Sequence, residues 1–242
     1  MLFACAQEDY TPKKYMGLKG KVASIRDTVY DCTLQGFHVG SGELKRVSAV
    51  DFDAEGNIIK TLEYSADSSD VDIKESVYKD HALFSSRRRW QIGKDVFTYT
   101  SERISMENGT LKYKESNGTQ HWICEVKTTG KYRLEYSEGD YGYTQEEIWA
   151  DNDNNIVKTK SRTVSNDEKF PNGTYTFETE EKVKYDKDGN PTESVRIEDK
   201  KKTVTVYTCR RYDKYGNWTE VHLETDGYLK RLVKRTIQYA EE

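Results

Sequence analysis

Apolar and polar residues alternate along most of this chain with a period of two, and turn residues cut the alternation at short intervals. In the stretch 21–30, Val22, Ser24, Arg26 and Thr28 fall on one side and Ala23, Ile25, Asp27 and Val29 on the other, which is the pattern of a β-strand. Positions 36–42 read as a loop, 44–52 as a second strand and 58–64 as a third. Asp67-Ser68-Ser69-Asp70 is a turn; 71–78 after it reads as a strand, with a short helix capped by Ser69 as the alternative. Two Asn-Gly pairs, Asn108-Gly109 and Asn117-Gly118, predict hairpins between strands at 99–106, 111–114 and 121–126, because both central positions of the tight turn need positive φ. Further strands are predicted at 143–150, 156–164, 174–185, 192–198, 203–212, 218–225 and 228–239. No linker interrupts the series: 1–16 reads as an exposed leader and 17–242 as a single domain.

One stretch recurs. Tyr212-Asp213-Lys214-Tyr215-Gly216-Asn217-Trp218 returns as Phe52-Asp53-Ala54-Glu55-Gly56-Asn57-Ile58 and as Tyr185-Asp186-Lys187-Asp188-Gly189-Asn190-Pro191; a degraded copy is Ala150-Asp151-Asn152-Asp153-Asn154-Asn155-Ile156. The Asp side chain can accept a backbone N–H two residues on, which favours a type I turn. Gly then supplies positive φ without steric cost, and Asn154 is the next most tolerated residue there. Spacings of 35 and 27 residues between the last three boxes allow about two strands per repeat.

The box resembles the YD repeat of the Rhs family, Tyr-Asp-x-x-Gly-Asn/Arg-apolar. The opening Gly17-Leu18-Lys19-Gly20-Lys21-Val22-Ala23-Ser24-Ile25 is similar to the start of small exported proteins of Bacteroidetes that carry a few such boxes. The resemblance covers the opening and the boxes only. It implies a sheet of successive hairpins and is silent on activity; this chain has too few repeats for the toxin-enclosing shell of long Rhs proteins.

Composition narrows this little. Hydrophobic residues are 35% of the 242 and charged residues 33%, yet 18 Tyr and 4 Trp argue against disorder and for many half-exposed strands. A net charge of −4 does not favour nucleic acid, and no stretch is apolar enough for a spanning helix. Leu2-Phe3-Ala4-Cys5 resembles the end of a lipoprotein signal, with Cys5 as the lipidation candidate, and Ala4-Cys5-Ala6 is alternatively a cleavage site. The expected location is therefore exported: periplasm, or an outer-membrane or cell-surface lipoprotein touching the membrane only through that anchor. Cys32, Cys124 and Cys209 have no CxxC spacing; either two of them pair or all three are free thiols.

Candidate chemistry is sparse. Asp151-Asn152-Asp153-Asn154-Asn155 opens like a calcium loop but lacks its Gly and has Arg162 where the bidentate Glu belongs. The four histidines have no metal spacing, and there is no nucleophile elbow, zinc-protease motif or phosphate loop, so neither cofactor nor metal is expected. Arg87 and Arg89, with Trp90, form the dense basic cluster, suited to an anionic group; in a strand, however, alternate arginines point to opposite faces. Trp90, Trp122, Trp149 and Trp218 could be platforms for a glycan or protein ligand, or cross-strand packing pairs. The sequence thus predicts an all-β, antiparallel sheet of successive hairpins, extended or curled, or a partly open barrel. The expected function is non-catalytic, binding or scaffolding in the cell envelope, with an envelope hydrolase acting on glycans as the alternative.

Overall fold

A computed structural model describes residues 18–35, 38–80, 82–153, 155–166 and 175–240. These residues form strands and turns, in the order β1 (Val22–Gln35), β2 (His38–Phe52), β3 (Ile58–Ser65), β4 (Asp70–Lys79), β5 (Ala82–Ile92), β6 (Asp95–Glu107), β7 (Thr110–Ser116) and β8 (His121–Thr129). The second half continues with β9 (Tyr132–Gly139), β10 (Gly142–Ala150), β11 (Ile156–Ser165), β12 (Tyr175–Tyr185), β13 (Pro191–Glu198), β14 (Lys201–Tyr212), β15 (Trp218–Thr225) and β16 (Tyr228–Tyr239). Every strand pairs antiparallel with its neighbours in sequence, as short turns favour.

The all-β, hairpin-by-hairpin reading holds, and two details are corrected. The sheet is neither extended nor partly open: β1 pairs with β16 from Val22↔Tyr239 to Asp31↔Arg231, closing the barrel and leaving no free edge. The expected loop at 36–42 shrinks, because β2 starts at His38 and pairs there with Gln35 of β1. The segment 71–78 is a strand, as its pattern predicts, and pairs with both β3 and β5; the alternative helix is absent. The leader, Cys5, His81 and Asn154 lie outside the described residues.

The four boxes all turn the chain at one rim, here the clamp rim, and they share one hydrogen-bond set. In the first, the Asp53 N–H donates to the Asn57 carbonyl at 3.0 Å and Gly56 N–H to the Asp53 carbonyl at 3.1 Å. Asn57 N–H and Nδ2 donate to the two Asp53 carboxylate oxygens at 2.8 and 2.9 Å. The pairs Asp151–Asn155, Asp186–Asn190 and Asp213–Asn217 repeat this, and each box follows a register shift in its incoming strand. Gly56, Gly189 and Gly216 have φ of +89°, +80° and +82°. The Asn of each box is buried, since its amide must reach back under the turn.

The last box also locks the closure. Asn217 Oδ1 accepts the Lys19 N–H at 2.7 Å, and its Nδ2 donates to the Lys19 carbonyl at 3.0 Å and to the Tyr239 hydroxyl at 2.9 Å. Tyr239 in turn donates to Asp213. One side chain therefore ties the chain before β1, the end of β16 and the β14–β15 turn together.

Candidate functional site

Strand alternation gives the barrel two surfaces, and register decides which residue meets which. The outer wall is charged. On β11 and β12 it presents Lys158, Lys160, Arg162, Glu178, Glu180 and Lys182, joined by cross-strand ion pairs such as Lys158–Glu180 at 3.6 Å and Arg162–Glu178 at 3.4 Å. Lys112 and Glu125 pair on β7 and β8, and Arg87 and Arg89 point outward from β5. A Lys or Arg facing lipid at mid-membrane costs roughly 2–4 kcal/mol, so these stretches of the wall are suited to water. A groove of about 850 Å³ runs along it, lined by Gln145, Lys160, Arg162, Glu178, Glu180 and Lys200 among others.

The inner surface changes character along the barrel axis. Near the clamp rim it packs: Leu111, Tyr113, Cys124 and Val126 form one cluster with Leu83, and Val22, Ile25, Phe52 and Ile58 form another. Near the opposite rim, the mouth, none of the described side chains in the last three residues of any strand is buried. Small cavities of about 250 and 300 Å³ open inside, one at Glu146, Thr159, Glu181 and Arg196, the other at Arg46, Glu63, Asp72 and Trp90.

Between the two halves lies a belt of charged side chains. Arg88 Nε and Nη2 donate to the two oxygens of Asp72 at 2.9 and 2.6 Å, a forked pair. Lys74 stands directly across from Arg88. On the far wall, Arg133 contacts Glu135, and Glu135 stands directly across from Glu146. Burial lowers the Lys74 ammonium to about 8, with Glu115 and Glu135 opposing the shift. Burial likewise raises the carboxyls of Glu115, Glu135 and Glu146 above the ordinary carboxylate range.

The structure distributes the sequence candidates over both surfaces. Trp90 lies inside near the mouth, its ring 5.8 Å from Phe97, and Trp122 lies inside against Tyr99 at 6.0 Å. Trp218 is inside at the clamp end, with the Arg235 guanidinium 3.6 Å over its ring, while Trp149 is outside, between Tyr132 and Lys158. Arg87 and Arg89 face away from Trp90. Arg88, between them, is the arginine that enters the lumen; the alternation along 87–90 separates it from its neighbours, but which face is inner depends on closure. Lys74, Glu115, Glu135 and Glu146 carry no signal in the sequence that distinguishes them from the other charges. Cys32, Cys124 and Cys209 are free thiols, and burial raises Cys124 to about 11. Among the described residues no group of three His, Cys, Asp or Glu could hold a metal ion.

No family model and no curated protein matches the chain. Solved structures are similar to it, porin-like proteins among them. A porin-like protein from Bacteroides vulgatus shares 11% identity over 93% of this chain and 100% of its own, with a TM-score of 0.44. A porin-like protein from Bacteroides uniformis shares 10% identity over 90% of this chain and 96% of its own, with a TM-score of 0.28. The expectation of a binding or scaffold sheet, extended or partly open, with a glycan hydrolase as alternative, is corrected here: the sixteen strands close into one barrel. The Rhs-like reading is set aside as well, and the box stands as a turn motif of a closed barrel.

Proposed function

We propose that this protein is a solute-admitting barrel: small hydrophilic molecules enter its lumen at the mouth rim, and the packed clamp rim restricts their onward passage. The observation that carries this reading is the one-sided distribution of buried side chains along the axis. The charged outer wall supports an aqueous setting, and the signal-like Leu2-Phe3-Ala4-Cys5 supports export, with Cys5 as a lipid anchor that holds the barrel at a membrane surface. A second reading, a pore through the outer membrane, draws on the even, sequentially paired and closed set of strands.

The test uses single thiols in a background with the native cysteines replaced. Thr163→Cys, on the inner face near the mouth, is expected to react with a small charged methanethiosulfonate but not with a polymer-linked maleimide. Ser194→Cys, at a site 4% exposed in the packed half, is expected to react with neither. Equal labelling at both sites, or none at either, would overturn the proposal. Single-channel steps from detergent-free protein added to a planar bilayer would favour the membrane pore.

A further inference from the structure

Four aromatic side chains run across the inner wall of the mouth half. Trp90 on β5 stands directly opposite Phe97 on β6. Tyr99, two residues on, shares the face of Phe97, and its ring meets that of Trp122 on β8. The strip thus crosses from β5 to β8, three strand spacings or about 14 Å. Packing does not use these rings up: Trp90, Tyr99 and Trp122 are half-buried, and Phe97 is 40% exposed. Trp122 lies against the wall itself. Gly139, its direct partner on β9, leaves the room for it: a Cβ there would collide with the indole, 2.8 Å from Nε1. An aromatic strip left uncovered in the open half is a surface for a ligand.

The charges that border the strip are already paired. Glu63 and Asp72 stand directly opposite each other on β3 and β4, each beside its own arginine. Arg46 Nη1 donates to Glu63 at 3.1 Å, and Arg88 forks onto Asp72 with its guanidinium 5.7 Å from the Trp90 ring. Arg46, Glu63 and Asp72 line, with Trp90, the cavity of about 300 Å³. A charged ligand would meet a group of its own sign in each pair. A hydroxyl suits both: it donates to carboxylate oxygens, which have more lone pairs than the pairing uses, and accepts from the five N–H groups of Arg46. We propose that the strip binds a neutral oligosaccharide. The slightly positive C–H faces of its sugar rings stack on the negative π faces of Trp90 and Trp122, and its hydroxyl edges bond to Asp72, Glu63 and Arg46. A purely apolar molecule would cover the rings but strip those polar groups of water without replacing it. The length of the strip asks for several sugar rings rather than one.

This inference rests on the lumen being accessible, and the experiment separates the two. The probes are glucose, maltotriose, cellotriose and mannotriose, titrated calorimetrically into the wild-type barrel at neutral pH, with benzyl alcohol and glucuronate as the apolar and charged comparisons. At least one trisaccharide is expected to bind about ten-fold or more tightly than glucose, benzyl alcohol and glucuronate. Its affinity should hold between about 0.05 and 0.5 M salt, since no net charge is neutralised. Trp90→Ala and Trp122→Ala, checked for unchanged thermal melting, should each weaken it about ten-fold, whereas Trp149→Ala, on the outer wall, should leave it unchanged. Gly139→Ala displaces the Trp122 ring, so it should weaken binding by itself and add nothing on top of Trp122→Ala. If a variant fails to fold, the probe series on the wild type decides alone. No binding by any trisaccharide, equal binding of benzyl alcohol or glucuronate, or equal weakening by Trp149→Ala would overturn the oligosaccharide proposal. If Thr163→Cys labels and no trisaccharide binds, only this proposal falls; if Thr163→Cys stays unlabelled, both do.

Discussion

The clamp rim and the mouth rim are built from the same sixteen strands, yet only one of them is a folded protein interior. At the clamp rim four Asp–Asn pairs fold the turns back under themselves, and clusters of buried apolar side chains, aromatic ones among them, pack inside the same end of the barrel. At the mouth the turns are of other kinds, such as Asn117-Gly118, where Asn117 Oδ1 accepts the Gln120 N–H at 2.8 Å, and Thr225-Asp226-Gly227-Tyr228. Side chains there stay in water. The difference teaches that closing the sheet satisfies the backbone at both ends alike, whereas burial is distributed separately, by which strand ends carry apolar residues. Stability is then concentrated at one rim and access at the other.

The largest effect that would break this comparison comes from truncation in the packed half. Leu111→Ala, at a site 4% exposed within the Tyr113–Cys124–Val126 cluster, should cost about 2–5 kcal/mol. Val96→Ala at the mouth, on a side chain 50% exposed, should stay within about 0.5 kcal/mol. Urea melts of the two variants check this, and equal costs would mean that the barrel is uniform along its axis.

Next in size is the pH response of Lys74, which marks the boundary between the halves. Below pH 8 its ammonium is charged in both folded and unfolded chains, and the fold carries the burial cost. Between about 8 and the ordinary value of 10.5 the folded chain has released the proton while the unfolded chain still holds it, so stability gains from this group as pH rises. The full gain is on the order of 3 kcal/mol. Tyrosines and thiols titrate in the same range, so the measurement is the difference between wild type and Lys74→Met. That difference should move in favour of the wild type from pH 8 to pH 10; a flat difference would place Lys74 in water and the boundary further toward the clamp rim.

Much of this architecture is legible in the sequence, but unevenly. The strands follow from alternation and the turns from Asn-Gly, Asp-Gly and the recurring box, all local signals. Closure is not local. It depends on pairing residues 24–31 with 231–238, some two hundred positions apart, and nothing in either strand announces its partner. Because closure decides which face is inner, the belt is hidden with it: Arg88 looks like Arg87 and Arg89, and Glu135 and Glu146 look like any other carboxylates, until the barrel has an inside.

Asn217 separates the clamp rim's two duties, turning the chain and closing the barrel. Asn190→Ala removes only bonds within its own box, to Asp186. Asn217→Ala also strips the Lys19 N–H and carbonyl of their side-chain partner and removes one of the two bonds of the Tyr239 hydroxyl, leaving backbone groups unsatisfied in a buried place, at about 1–3 kcal/mol. Asn217→Ala should therefore melt below Asn190→Ala, and hydrogen exchange in β1 and β16 should accelerate in it alone. Equal melting would mean that closure rests on the strand ladder without the clasp.

The smallest effect concerns the glycine of the same box. Gly216 sits at φ +82°, and a Cβ built there would come 3.4 Å from Lys19 Nζ, the far end of a flexible side chain that can give way. The cost of Gly216→Val is therefore conformational: a β-branched residue held in the left-handed region, at about 1 kcal/mol or more. Lys214→Val, at the exposed position between Asp213 and Tyr215, meets no such demand and should melt close to the wild type. Gly227 at the mouth has nearly the same φ, +80°, with nothing within 4 Å of its Cβ position. If conformation alone sets the cost, Gly227→Val should match Gly216→Val, and the glycines would be the one feature in which the rims are equivalent. A larger loss at Gly216 would show instead that the clasp around Asn217 and Lys19 holds that turn more rigidly than any turn at the mouth. Denaturant melts of the three valine variants, compared at one pH, distinguish these outcomes.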